Sequence, residues 1–95
     1  MKASYIGDRF SIACALEYMG YGYLRRCDYR NAYGAYEAAA SGAVDAGLVD
    51  MCEENMARIE QKQRNPDTVV GFYRPDMDNT LFYPPVASKL PISGS

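Results

Sequence analysis

The sequence contains no histidine. Histidine is the commonest general base at neutral pH and a frequent zinc ligand, so its absence excludes histidine-based catalytic triads and Cys/His zinc sites. Gly42 and Gly47 lack the lysine and the glycine spacing that a phosphate-binding loop requires. We therefore expect a protein that is not an enzyme and that needs neither a cofactor nor a metal.

Cysteine is also scarce, and no long apolar run is present. Cys14, Cys27 and Cys52 are an odd number without CxxC spacing, which is typical of thiols in a reducing compartment. Charged residues such as Asp8 and Glu17 interrupt the N-terminal segment, which therefore predicts neither a signal peptide nor a membrane span. These features favour a cytoplasmic protein.

Positive and negative charges are nearly equal in number, with 10 lysines and arginines and 12 aspartates and glutamates. The 95 residues carry a formal net charge of −2, with a sequence pI of about 5.0. A chain of this length forms one domain at most, and its acidic balance disfavours general adhesion to nucleic acid or to anionic membranes.

The periodicity of apolar residues predicts three helices within residues 1–64, from about residue 8 onward. The first begins at Asp8 or Ser11, each of which can cap a helix N-terminus. Asp28 is the expected N-cap of a second helix over residues 29–41, and Gly42 suits the left-handed position after its end.

The third predicted helix begins between residues 43 and 45 and continues to about Gln63. Apolar residues recur along it at intervals of three and four, while Glu54 with Arg58 and Glu60 with Arg64 form i,i+4 pairs on the opposite side. The sequence Asn-Pro-Asp from Asn65 should end it.

Residues 65–95 have no helical period and contain all five prolines. Segments 68–73 and 80–83 are rich in β-branched and aromatic residues around a polar turn, so they predict a short hairpin. Residues 86–95 should be extended or disordered. The expected organisation is a mainly α helical domain over residues 1–64, followed by an extended tail or short hairpin that packs on it.

Residues 16–39 carry a known pattern. The tetratricopeptide signature W-x2-L-G-x2-Y, then A-x3-F, is matched in spacing by Leu16, Met19, Gly20, Tyr23, Ala32 and Tyr36. The segment thus resembles one partial tetratricopeptide-repeat hairpin, although leucine replaces tryptophan and no second copy is present. The resemblance implies that Gly20 lies inside the first helix, where the second helix approaches closely and Ala32 faces it.

In that family the first helix lines a peptide-binding groove. The resemblance assigns the groove positions to Cys14, Glu17, Tyr21, Leu24 and Arg25. The family's lysine and asparagine clamp for a terminal carboxylate is absent, and Glu17 would repel a carboxylate. Acidic chaperone tails are therefore not the expected ligand.

Two further motifs suggest chemistry and are better explained structurally. Cys27 lies beside Arg25, Arg26 and the start of a helix, features that lower a thiol pKa, but a small residue that fills an interhelical turn is the better explanation. Asp76 and Asp78 resemble the start of a calcium loop, but the glycine and distal glutamate of such a loop are missing.

Tyrosine is in surplus, since seven of the nine lie within the first 36 residues. Tyrosine and arginine are enriched where proteins bind each other. The predicted function is therefore a protein-binding module that uses Tyr21, Tyr23, Arg25, Arg26 and Tyr29. In general format, small, acidic and histidine-free, the chain is similar to phage-encoded inhibitors such as anti-CRISPR proteins. The alternative is an accessory protein that binds nucleic acid with the same arginines and tyrosines.

A single hairpin plus one helix leaves an apolar face that must be covered. The tail from Thr68 to Tyr83 offers one cover, and a second copy of the chain offers another. The third helix favours a homodimer, because apolar residues occupy more than one narrow stripe of it: Leu48, Met51, Cys52, Met56 and Ile59.

Overall fold

The computed structural model describes residues 4–43, 45–75 and 80–84, with side chains from residue 9 onward. Within them the protein is mainly helical, with a small two-stranded antiparallel sheet, as the sequence predicts. The elements in chain order are α1 (Ser4–Arg25), α2 (Tyr29–Gly42), α3 (Ala46–Arg64), β1 (Phe72–Tyr73) and β2 (Leu81–Phe82).

Helix α1 begins earlier than the capping residues suggest. It starts at Ser4, so Asp8 and Ser11 both lie within the helix and neither is its N-cap. The prediction was wrong because Asp and Ser are only moderately unfavourable inside a helix, and tertiary packing readily overrides such preferences. The helix then continues through Gly20 and Gly22 without a break.

Gly20 marks the closest approach of α1 and α2. A methyl group added at Gly20 would lie 2.8 Å from Cε2 and Cζ of Tyr36. The close approach expected from the sequence is present, but its nearest partner is Tyr36 rather than Ala32. Tyr36 lies one turn further along α2 on the same side, so a small shift in the pairing of the two helices exchanges one for the other.

Helix α2 begins after its predicted N-cap, Asp28, but its C-terminal end differs from the prediction. The Asp28 side chain accepts a hydrogen bond from the Asn31 backbone N–H (3.4 Å) and one from the Asn31 amide (2.8 Å). Gly42 is the last helical residue and has no positive φ, which corrects the prediction of a left-handed cap. The extended Ala43 ends the helix instead, at φ −76° and ψ 144°.

Helix α3 follows the prediction closely. Asp45 caps it by accepting from the Leu48 N–H at 2.9 Å, and Asn65 follows its last residue. Arg58 and Glu54 form the expected pair at 3.1 Å. Glu60, expected to face Arg64, accepts a hydrogen bond from the Tyr33 hydroxyl at 3.1 Å and so connects α3 to α2.

The segment after α3 folds back onto the helices. Phe72 pairs with Phe82 and Tyr73 with Leu81, which confirms a short hairpin. Phe72 is fully buried, and Val70 is only 7% exposed. The predicted turn with Asp76 and Asp78, and residues 86–95, lie outside the described residues.

Side chains of α3 hold this segment in place. The Asn55 amide donates to the Tyr73 carbonyl (3.0 Å) and accepts from the Tyr73 N–H (2.9 Å). Arg58 donates to the Gly71 carbonyl, and Lys62 donates to the carbonyls of Pro66 and Thr68. The returning chain is thus bonded to α3 along most of its length.

The apolar face of α3 is used within the chain. Cys52 and Ile59 are fully buried, and Leu48 and Met56 pack against the same core. Val70 and Phe72 complete that core from the tail. Val69, also expected to help cover the helices, is 77% exposed instead. Four of the five α3 residues that favoured a dimer therefore pack within the chain, while the fifth, Met51, is half-buried.

Candidate protein-binding face

The five predicted site residues lie around the junction of α1 and α2. Tyr21, Tyr23 and Arg25 belong to the last turns of α1, Arg26 lies in the turn, and Tyr29 begins α2. We refer to these five residues as the arginine–tyrosine face. Because an α-helix has 3.6 residues per turn, Tyr21 shares a side with Arg25, and Tyr23 shares another with Arg26.

The Tyr21–Arg25 pair adjoins the hairpin. The guanidinium of exposed Arg25 lies 5.8 Å from the Tyr21 ring centroid, within the range of a cation–π interaction. The Tyr21 ring also packs edge-to-face against Phe82, at 5.3 Å between centroids and 70° between planes. The hairpin thus fixes the ring on which the arginine lies.

The Tyr23–Arg26 pair lies toward the outer side of α1. The Arg26 guanidinium is 5.1 Å from the Tyr23 ring centroid. Tyr23 packs partly against the core, whereas Arg26 is exposed. Beside the pair is a shallow depression of about 220 Å³, lined by Met19, Gly22, Tyr23 and Arg26. The face therefore has two arginine–tyrosine pairs on different sides of one helix.

Tyr29 is half-buried and contacts the hairpin. Its ring lies 6.1 Å from that of Phe72, so the side chain takes part in seating the hairpin. Burial, together with the nearby Cys27 thiol to which it is hydrogen-bonded, raises the pKa of Tyr29 to about 12. Tyr29 thus helps to hold the hairpin against the arginine–tyrosine face.

The turn between the helices has a fixed geometry. The Cys27 N–H donates to the Leu24 carbonyl, and the Asp28 N–H donates to the Tyr23 carbonyl, both at 2.9 Å. This is a Schellman-type helix end, in which the left-handed residue is usually glycine. Here that residue is Cys27, at φ 61°. Cys27 therefore has a structural role in the turn, and its thiol is only partly accessible.

The groove that the tetratricopeptide resemblance implied is closed in this structure. Leu24 is fully buried and Glu17 is only 5% exposed, so neither can face a bound peptide. Cys14 is half-buried, while Tyr21 and Arg25 lie at the rim beside the hairpin. The expectation of a groove through these positions is wrong, because α2, α3 and the tail pack together and bury that side of α1.

Four polar side chains lie inside the helical core. They are Glu17, Tyr36, Cys52 and Asn55. Burial and the nearby Glu17 carboxylate raise the pKa of the Cys52 thiol to about 12, and burial raises the pKa of Tyr36 further above its ordinary value of 10. The Tyr36 hydroxyl has no hydrogen-bond partner within the described residues. Burial thus holds the Cys52 thiol and the Tyr36 hydroxyl in their neutral forms at pH 7.

Sequence reasoning missed Asn55, which holds the tail through two backbone hydrogen bonds. Its position among apolar residues of α3 was the available signal, since a buried amide requires partners. Among the described residues, His, Cys, Asp and Glu form no group that could hold a metal ion. Within the same region, none of the helices combines the length and apolarity needed to cross a bilayer.

No protein-family model, curated protein or solved structure matches this chain.

Proposed function

We propose that this protein is a non-catalytic binding module that occupies a surface of another protein through the arginine–tyrosine face. One observation carries the proposal: two exposed arginines, Arg25 and Arg26, each lie over a tyrosine ring that is itself packed against the protein. Arginine and tyrosine contribute disproportionately to protein interfaces, because they combine large contact area with polar ends.

The support beneath the face favours binding. Tyr21 is fixed by Phe82 and Tyr29 by Phe72, so the tyrosines are largely ordered before a partner arrives. Ordering a mobile side chain at an interface costs ~0.5–1.5 kcal/mol, and a preformed surface avoids part of that cost. The left-handed turn at Cys27 fixes the relative positions of the two helices that carry the face.

The finer proposal concerns the setting. The bound surface belongs to a larger complex in the cytoplasm, and its occupation inhibits that complex, as phage-encoded inhibitors such as anti-CRISPR proteins do. Small size, acidic balance and the absence of histidine support this setting.

Affinity capture from a lysate of the source cells tests the proposal, with charge reversal at the face. Arg25→Glu/Arg26→Glu changes two exposed side chains and leaves the tyrosine packing in place. The matched control, Arg9→Glu/Arg64→Glu, makes the same change in net charge at exposed positions elsewhere. We expect the wild type and the control to retain the same protein partner, and the face variant to lose it. Equal recovery by both variants, or no protein specific to the wild type, contradicts the proposal.

Nucleic-acid binding is the alternative, favoured by a third exposed arginine, Arg30, close to the face. Such binding releases counterions, so its affinity falls steeply between ~50 and ~200 mM salt. Mixed pools of labelled DNA and RNA at ~50 mM salt test it. Binding that weakens with salt and is lost in Arg25→Glu/Arg26→Glu would favour this alternative over a protein partner.

A further inference from the structure

Helix α1 is apolar on both of its sides. One side is buried in the core through Ala13 and Leu24. On the opposite side Ile12 is 59% exposed and Met19 is 49% exposed. A helix that is apolar all round is normally covered on every side. Within the described residues, α2 packs along the inner side of α1 and the hairpin meets it at Tyr21, and both leave Ile12 and Met19 in solvent.

The outer side has the spacing of a coiled-coil seam. Its residues alternate at intervals of three and four: Ile12, Ala15, Met19, Gly22 and Arg26. This is the a/d spacing at which two helices pack along their length. Four of these positions are exposed, and Gly22 is half-buried. A methyl group added at Gly22 would nevertheless meet nothing within 4 Å. We call these residues the outer seam.

The depression beside Gly22 has the form of a coiled-coil hole. It is lined by Met19, Gly22, Tyr23 and Arg26, which are residues i, i+3, i+4 and i+7 of the helix. In a coiled coil, four residues so arranged receive one side chain of the facing helix. Glycine at the second position leaves the hole open, with a volume of about 220 Å³. The hole can therefore receive a large side chain from a facing helix.

We propose that the outer seam binds a second copy of this chain, with the two α1 helices antiparallel about a two-fold axis at the level of Glu17. In this register Ile12 of each copy enters the hole at Gly22 of the other. Ala15 of each copy lies opposite Met19 of the other. Each large apolar residue of the seam thus lies opposite a small one, and the two-fold axis repeats each of these contacts once.

Charge supports the same register. The two-fold axis brings position 8, occupied in the sequence by Asp8, opposite Arg26 of the second copy. An isologous interface must be complementary to itself, and this seam is self-complementary in both size and charge. The core of the seam, from Ile12 to Gly22, spans only ~15 Å of helix, so we expect a dimer with a dissociation constant in the micromolar range.

The dimer goes beyond the proposed function and does not depend on it. Tyr21 and Arg25 lie outside the outer seam, and the antiparallel arrangement places the two arginine–tyrosine faces toward opposite ends of the dimer. Tyr23 and Arg26 belong to both surfaces, because both also line the hole at Gly22, so the test of the dimer leaves these two residues unchanged.

Sedimentation velocity of the full chain over ~1–300 µM tests the proposal. We expect reversible dimerisation by the wild type. Gly22→Leu fills the hole from within its own chain and should weaken the dimer at least about tenfold. Gly34→Leu is the matched control, since Gly34 is an equally open glycine on α2 and should leave dimerisation unchanged. Ile12→Ala removes the inserting side chain at an exposed position and should also weaken the dimer.

The double variant Ile12→Ala/Gly22→Leu decides the register. It exchanges the large and small residues of each contact, so dimerisation should return to within a few-fold of the wild type. Three results would each overturn the proposal: a wild type that stays monomeric at ~300 µM, equal dimerisation by Gly22→Leu and Gly34→Leu, or a double variant weaker than both of its single variants. Circular dichroism of every variant confirms that the helices remain folded.

Discussion

The two glycines of α1 allow one contact to be measured almost in isolation. Gly20 and Gly22 are two residues apart in the same helix, and replacing either by alanine adds the same methyl group. At Gly22 that methyl group meets nothing within 4 Å. At Gly20 it lies 2.8 Å from two ring atoms of Tyr36 and 3.0 Å from a third. Comparing the two alanine substitutions therefore separates the effect of helix propensity on stability from the effect of packing against Tyr36.

The expected magnitudes differ in sign. Alanine is favoured over glycine inside a helix by ~1 kcal/mol, so Gly22→Ala should raise the free energy of unfolding by about 0.5 to 1 kcal/mol. Gly20→Ala gains the same helix propensity, but its added methyl group would press against the ring of Tyr36, which is fully buried. Overpacking of this kind costs ~1–3 kcal/mol. We expect a net loss of about 1 kcal/mol for Gly20→Ala.

Urea unfolding followed by circular dichroism measures both values. Protein concentration should be held well below the dissociation constant measured for the dimer, so that association contributes little. Gly34→Ala in α2, also open, serves as a second control for propensity. The expected difference between Gly20→Ala and Gly22→Ala corresponds to at least ~4 °C in Tm for a domain of this size. Equal stabilisation by both would refute the close approach of Tyr36 to α1.

Three other substitutions test particular contacts. Asn55→Ala removes both hydrogen bonds to buried backbone atoms of Tyr73 and should cost ~2–4 kcal/mol, with faster proteolysis after α3. Tyr36→Phe removes a buried hydroxyl without a partner, so urea unfolding at pH 7 should show no loss of stability. Burial raises the pKa of Tyr36 in the folded protein, so the stability linked to its ionisation is complete below the unfolded pKa of ~10 and is lost as the pH rises above it. Above pH ~10, thermal melts of Tyr36→Phe should therefore depend less on pH than those of the wild type. Cys27→Gly relieves a left-handed residue and should raise Tm by a few degrees, corresponding to ~0.5–1 kcal/mol.

The sequence by itself determined the helices and most of their ends. Asp28 and Asp45 cap α2 and α3 because a short acidic side chain reaches the free N–H groups of the next turn. Asn65 and the proline after it end α3 as predicted. These are local effects that depend on neighbouring residues alone, and the alternation of apolar residues in the hairpin is equally local.

The candidate site was predictable in composition but not in arrangement. An excess of tyrosine beside arginine was visible in the sequence. Which rings support the hairpin depends on where the tail packs, and Phe72 and Phe82 are more than forty residues from Tyr21 and Tyr29. No local pattern reports such distant contacts.

Only the tertiary structure decided which side of α1 is buried. Because α1 carries apolar residues on both of its sides, its periodicity does not distinguish a core side from an outer side. The pairing of α1 with α2 resolves this: it buries Glu17 and Leu24, places Tyr36 rather than Ala32 against Gly20, and leaves Ile12 and Met19 outside. One turn of shift between two helices exchanges the residues that meet, and that shift is set by the packing of the whole core.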